Sequence, residues 1–207
     1  MKTVKEGEVR KQEILMVARE LFVTKGYEQT SVNDILKIVG IAKGTFYYYF
    51  KSKEEVLAAI ILNIVEEGAK RAEQILKDKS VPLISRMMMA IMAQSPEFEG
   101  SEAIRDEMHK VENAKLEQFY TKAMLKRMTP LLEDAVAEGV EADLFHLNYP
   151  RETIESILLL GHMLFDCNIM DWEVEDYPEK IQSYLANMER MLGTKEGELK
   201  DFLQMFV

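Results

Sequence analysis

The residues with the most chemistry to offer stand close together: Thr30 and Ser31, then Lys43, Gly44, Thr45, Tyr47, Tyr48, Tyr49, Lys51 and Lys53. Lysine brings charge, and the hydroxyls of serine, threonine and tyrosine donate hydrogen bonds to phosphate oxygens from short or stiff side chains. Gly44 lets a helix backbone come close to a duplex. Within the group, Lys43 and Thr45 are better placed to reach base edges, and Tyr47 and Lys53 to reach phosphates. This chemistry suits a phosphate-lined groove.

Such side chains need a frame, and residues 29–55 supply one. Val32, Ile35, Leu36 and Val39 form an i, i+3, i+4, i+7 stripe that predicts a helix over 32–39, with Ser31 as N-cap and Asp34 at the capping-box position. Gly40 gives the backbone freedom of a tight interhelical turn, and Ile41 can drop between the helices. The next helix, 43–49, is a poor choice for stability alone, since it carries a glycine, a β-branched threonine and a run of aromatics. Phe46 and Phe50, four residues apart, face inward, and the tyrosines are left outside. Ser52-Lys53-Glu54-Glu55 is a second capping box that opens a third helix, with Lys53 at its N-terminal end. The plain alternative is a three-helix structural unit with exposed tyrosines.

The run TSVNDILKIVGIAKGTFYYYFKSKEEVL resembles the DNA-binding signature of the tetracycline-repressor (TetR) family of bacterial transcriptional regulators, over residues 10–57. The shared pattern is an apolar helix ending in Lys-Gly-Tyr, a Thr-Ser start, a Gly turn, a Gly-Thr-aromatic-Tyr recognition helix, and a Phe followed by Lys-x-Lys. Ala42 departs from it, standing where the family often has serine, at a cost of roughly 1 kcal/mol of local stability. The resemblance implies a homodimer on a double-stranded, palindromic DNA operator, a small-molecule effector, and a long helix that acts as the lever between effector and DNA.

The rest of the chain reads as helix. Ile14, Leu15, Ala18, Leu21 and Phe22 mark a first helix over 8–25, with Arg10, Lys11 and Lys25 available for phosphate or for solvent. A lever helix runs over 53–78. Beyond it come 80–94 with Ser80 as N-cap, 102–111, 113–138 with Pro130 as a kink and Gly139 as a stop, 151–171, a helix after Pro178 ending at Gly193, and a short one over 196–206. With no sustained alternation, the fold class is all-α: a helix-turn-helix domain over 1–52 and a helical effector-binding and dimerisation domain over 53–207. The formal charge of −10 divides unevenly, because ten basic and eight acidic side chains in residues 1–55 leave +2 there and −12 in the remainder. An acidic body would turn DNA away from every face except the basic one. The single Cys167, a polar N-terminus and the lack of a 20-residue apolar run point to a cytoplasmic protein without membrane spans.

Apolar residues on several sides of the 151–171 helix, and a stripe on the 178–192 helix, suggest a four-helix interface between two subunits through Ile157, Leu158, Gly161, Leu164, Tyr184, Leu185 and Met188. Burial inside a single subunit is the other reading. Fourteen methionines either fill core gaps or line an adaptable pocket for an apolar or amphipathic ligand, with Met88, Met92, Phe119, Tyr120, Met124, His162 and Phe165 as candidate walls. The competing function is a helical-bundle metal-binding or enzymatic protein, with Asp106–His109 and His162–Asp166 as possible metal pairs. No Glu-x-x-His motif and no Gly-rich phosphate loop supports it, and no cofactor is implied. A third reading is a family member that acts through a protein partner without a small ligand.

Overall fold

The sequence periodicities become helices. The computed structural model describes residues 2–94, 98, 100–166, 172–200 and 202, and every regular element among them is helical. In chain order they are α1 (Lys2–Thr24), α2 (Val32–Val39), α3 (Lys43–Tyr49), α4 (Lys53–Lys77), α5 (Leu83–Met92), α6 (Ser101–Met108), α7 (Ala114–Glu141), α8 (Pro150–Gly161) and α9 (Tyr177–Leu192). A turn of wider π-helix, His162–Asp166, follows α8.

Several boundaries differ from the sequence expectation for identifiable reasons. Ser80 does not cap α5, because its hydroxyl donates to the Asp78 carboxylate at 2.5 Å and Pro82 occupies the cap position. Gly139 does not stop α7. It is buried in the last turns, where a Cβ would lie 2.0 Å from the Phe145 ring, so glycine there is a seat for Phe145. Helix α7 also continues through Pro130. The expected 151–171 helix ends at Gly161, and its last residues, including Cys167, lie outside the described residues, as do 203–207. Residues 196–199, where the expected last helix begins, form turns, and residues 201 and 203–206 of that expectation lie outside the described residues.

The chain forms two compact units, Met1–Val65 with Pro96–Tyr120, and Glu66–Ser95 with Thr121–Val207. The core of the first is built from α1 (Ile14, Ala18, Phe22), α2 (Ile35), α3 (Phe46, Phe50), α4 (Leu57, Ile61) and α6 (Ile104, Met108). Each fully buried large apolar side chain contributes roughly 1.5–3 kcal/mol, so Phe46 and Ile35 anchor their short helices by burial more than by propensity. Gly100, at φ 79°, lets the chain pass against Val23, where a Cβ would meet a methyl group at 2.2 Å.

In the second unit, Met87, Met88, Met124, Met128 and Met188 are all buried, as are Leu132, Ile154 and Ile157. The buried Arg86 guanidinium donates to the Leu76 carbonyl (2.6 Å), the Val81 carbonyl (3.0 Å) and the Glu138 carboxylate (2.6 Å), joining the end of α4, the following loop and α7. Arg86, and then Lys79, hold the Glu138 carboxyl below its ordinary range. Buried Glu189 accepts the backbone N–H groups of Gly197 (3.0 Å) and Leu199 (2.7 Å), which ties the turn after α9 to that helix.

Candidate nucleic-acid interface

The first unit presents α3 through a sequence of local fixings. Ser31 caps α2: its hydroxyl accepts the Asp34 N–H at 3.2 Å, and the Asp34 carboxylate accepts the Ser31 N–H at 2.9 Å, completing the capping box. Lys25 donates to the same carboxylate oxygen at 2.7 Å and so ties the end of α1 to the start of α2. The Lys25 hydrogen bond, followed by those from Ser31, holds the Asp34 carboxyl well below the usual carboxylate range. Gly40, left-handed at φ 72°, ends α2 with its N–H on the Leu36 carbonyl at 3.0 Å.

Helix α3 starts at Ala42 in extended backbone with no side-chain cap, and the Thr45 N–H returns to the Ala42 carbonyl at 2.9 Å. Phe46 and Phe50 are buried, with ring centroids 6.0 Å apart. The opposite side of α3 is open. Lys43 and Gly44 are exposed there, Tyr47 is 46% and Tyr48 82% exposed, and the Lys43 ammonium stands 5.8 Å from the Tyr47 ring centroid. Lys51 and Ser31 are exposed, and Thr45 is half-buried. Tyr49 is not outside as expected: it is half-buried against the unit's core, with Tyr48 edge-on to it at 4.9 Å.

Two expected DNA contacts have other employment. Thr30 is buried and donates its hydroxyl to the Gly26 carbonyl at 2.7 Å, so it fixes the α1–α2 turn. The Lys53 ammonium donates to the Tyr27 carbonyl at 2.7 Å and lies 4.0 Å from the Tyr27 ring centroid. Sequence reasoning missed Tyr27 as a structural partner, although Lys-Gly-Tyr was visible as part of the family pattern. Burial, with Glu54 and Glu107 nearby, pushes its phenol above the ordinary tyrosine range. Lys25 is paired with Asp34, Arg10 with Glu13 at 2.6 Å, and Lys11 stands 5.9 Å from the Phe50 ring centroid.

The candidate pocket residues lie in several places among the described residues. In the second unit a small apolar cavity of about 10 Å³ is lined by Ile84, Met87, Met88, Ile91, Phe145, Ile154, Ile157, Met188, Leu192 and Leu199. Of the candidates, Met88 alone lines it. Met124 is buried in the same unit, Met92 half-buried, and His162 buried with its Nε2 3.2 Å from the Thr121 hydroxyl. Phe165 stacks edge-on to Tyr184 and Trp172, at 5.4 and 6.2 Å. Phe119 is exposed, and Tyr120 packs against the core of the first unit.

Of the candidate dimer residues, Ile157, Leu158, Tyr184, Leu185 and Met188 are turned inward and buried by their own chain. Tyr184 donates its hydroxyl to the Ile157 carbonyl at 3.0 Å across Gly161, which is half-buried, as is Leu164. Leu159 on α8 and Met163 in the π turn after it are 36% and 43% exposed. Among the described residues, no three His, Cys, Asp or Glu side chains gather as a metal site, and His109, of the possible Asp106–His109 metal pair, stands 2.6 Å from the Glu117 carboxylate. No helix of the described residues is long and apolar enough to cross a membrane.

Known proteins carry the same features. Residues 14–60 match the family described as "Bacterial regulatory proteins, tetR family", and residues 99–186 match "Tetracyclin repressor-like, C-terminal domain". The chain is 48% identical over 56 residues to an uncharacterized HTH-type transcriptional regulator from the lacX 3' region of Lactococcus lactis, covering 27% of this chain and 29% of that relative. It is 25% identical over 176 residues to the uncharacterized HTH-type transcriptional regulator YhgD of Bacillus subtilis, covering 82% of this chain and 87% of that one. The chain thus spans less than a third of the first relative's length and most of the second's. Its fold is similar to the crystal structure of a TetR-family regulator from Syntrophomonas wolfei, with a TM-score of 0.60 at 21% identity over 92% of this chain and 98% of that one. An N-terminal helix-turn-helix unit in an all-α chain, matched by family models at both ends, leads to one conclusion: the chain belongs to the TetR family of bacterial transcriptional regulators.

Proposed function

We propose that the chain is a homodimeric, ligand-responsive repressor acting in the cytoplasm. Each subunit sets α3 in the major groove of a double-stranded operator, and a small apolar or amphipathic effector releases it. The observation that carries the DNA contact is the partition of α3. Phe46 and Phe50 hold the helix to its own core while Lys43, Gly44, Tyr47 and Tyr48 stand open beside the exposed Lys51. Ser31 and Thr45 flank that surface, and residues 1–52 serve as the reading domain.

Release rests on residues 53–207. Helix α4 runs unbroken from Lys53 to Lys77, which suits a lever whose far end sets the position of the reading domain. An effector that binds the misaligned state better than the DNA-competent one shifts the population and frees the operator. The cavity lined by Met87, Met88 and Met188 has room for about one water molecule, and methionine walls repack readily to enlarge such a space for an apolar ligand. For the dimer, exposed Leu159 on α8 and Met163 in the π turn that follows it suit burial against the same patch of a second copy.

Sequencing the DNA fragments that purified full-length protein selects from random DNA tests the reading. An enriched palindrome, bound more weakly as salt rises, is the expected result. Failure to retain DNA even at low salt would refute it. A thermal-shift screen with lipophilic compounds then tests the effector, and a uniformly flat screen would favour action through a protein partner.

A further inference from the structure

Resting on the effector reading above, we infer that the turn after α9 is a latch on the apolar cavity of the second unit. Leu199 is its plug, Glu189 is its catch, and a small uncharged hydrocarbon-like ligand enters by displacing Leu199. The cavity lies between α5, α8 and α9 and is completed by two side chains from non-helical segments, Phe145 and Leu199. Every lining side chain is apolar, so a charged or strongly polar occupant would meet the full cost of leaving water.

Those two side chains are held differently. Phe145 is clamped, because its ring rests on Gly139 and the next residue, His146, donates its N–H to the Leu192 carbonyl at 3.0 Å. A Cβ on Gly193 would stand 2.1 Å from the His146 carbonyl oxygen, so the two backbones are in close contact there. Leu199 hangs on a carboxylate. Among residues 195–200 its side chain is the only buried one, and the Glu189 carboxylate accepts the N–H groups of Gly197 at 3.0 Å and Leu199 at 2.7 Å. A segment with one buried side chain and an exposed backbone opens locally at far less cost than a packed helix, so this turn is the wall that yields first.

The catch is also reversible. With the turn closed, the buried Glu189 carboxylate is satisfied by two N–H donors. With the turn swung away, water replaces each partner, and opening strands neither a charge nor a donor. What opening costs is the exposure of one leucine side chain, and a hydrocarbon of similar size that fills the vacated space restores the lost burial.

Toluene is the probe, full-length protein the sample, and amide hydrogen exchange read residue by residue the measurement. A ligand that displaces Leu199 unlatches the turn, so saturating toluene should speed exchange at Gly197 and Leu199 about tenfold while it slows interior amides of α8 and α9. If methionine repacking alone made the room, the amides of 197 and 199 would slow with the rest. Glu189→Gln touches no cavity wall and keeps the side chain's shape. It removes the charge on the acceptor, the turn opens more often, and toluene should bind about tenfold tighter at unchanged helicity by circular dichroism.

Slower exchange at 197 and 199 with toluene bound would overturn the latch. So would an unchanged toluene affinity in folded Glu189→Gln, or no binding of toluene by either protein. If Glu189→Gln does not fold, the exchange of the unaltered chain decides by itself. Failure of the unaltered protein to retain DNA at low salt is a different result, which refutes the proposed function and leaves the exchange pattern at 197 and 199 as it was.

Discussion

A serine at position 42 asks directly how α3 is held. Ala42 occupies the N-cap with φ −72° and ψ 152°, in the same extended region as Ser31 at φ −97° and ψ 157°. In α2 the Ser31 hydroxyl reaches the N–H three residues on at 3.2 Å. A serine at 42 stands in the same relation to the Thr45 N–H, and position 42 is exposed, so the hydroxyl meets no packing obstacle. Such a cap contributes about 1 kcal/mol relative to alanine. If α3 opens from its first turn, that energy corresponds to roughly fivefold slower amide hydrogen exchange at Gly44 and Thr45. If it also counts in global unfolding, Tm rises by about 2–4 °C for a chain of this size. Exchange read residue by residue, together with calorimetry on Ala42→Ser, measures both. Unchanged exchange at 44 and 45 with an unchanged Tm would refute the reasoning, because the start of α3 would then be held entirely by the burial of Phe46 and Phe50.

Three further outcomes are expected. Asp34 has a folded-state pKa below its unfolded value of about 3.9, so its stabilisation is present at neutral pH and is lost as pH falls through and below that value. Asp34→Asn should therefore melt lower than the unaltered chain at pH 7, and the gap between their thermal melts should narrow as pH falls below the unfolded value. Gly139→Ala should destabilise by roughly 1–3 kcal/mol in urea titrations through overlap with the Phe145 ring, whereas Gly44→Ala, with nothing within 4 Å of the new Cβ, should stabilise by about 0.5–1 kcal/mol. Leu159→Glu with Met163→Glu should leave a folded monomer in sedimentation, and a persistent dimer would place the interface elsewhere.

The helix-turn-helix was legible in the sequence because its determinants are local. A capping box from Ser31 to Asp34, a glycine in the left-handed region and two phenylalanines four apart mark where α2, the turn and α3 lie and which side of α3 faces inward. What covers an apolar helix face is less legible. An apolar stripe reports that a helix face is covered but not by what, and the stripe of α9 is covered by its own chain, as the burial of Tyr184, Leu185 and Met188 records. Thr30 beside Ser31 looks equally polar in sequence, yet it is the carbonyls of Gly26 and Leu21, several residues upstream, that draw it inside. Gly139 has the composition of a helix stop and becomes a contact surface because Phe145 folds back on it. In each miss, a partner distant along the chain overrode a correct local signal.

The first unit is interrupted in the chain, and the interruption imposes an order of assembly. Ile104 and Met108 belong to its core but follow Val65 by about forty residues, so at ribosomal rates of 5–20 residues per second they arrive on the order of 2–8 s later. In that interval the nascent α1–α4 segment lacks two buried apolar side chains, each contributing roughly 1.5–3 kcal/mol once in place. A gene truncated just after codon 65 would encode the whole helix-turn-helix and still lack those two core side chains. A newly made chain completes the core of its first unit only after synthesis has passed the first thirty residues of the other unit.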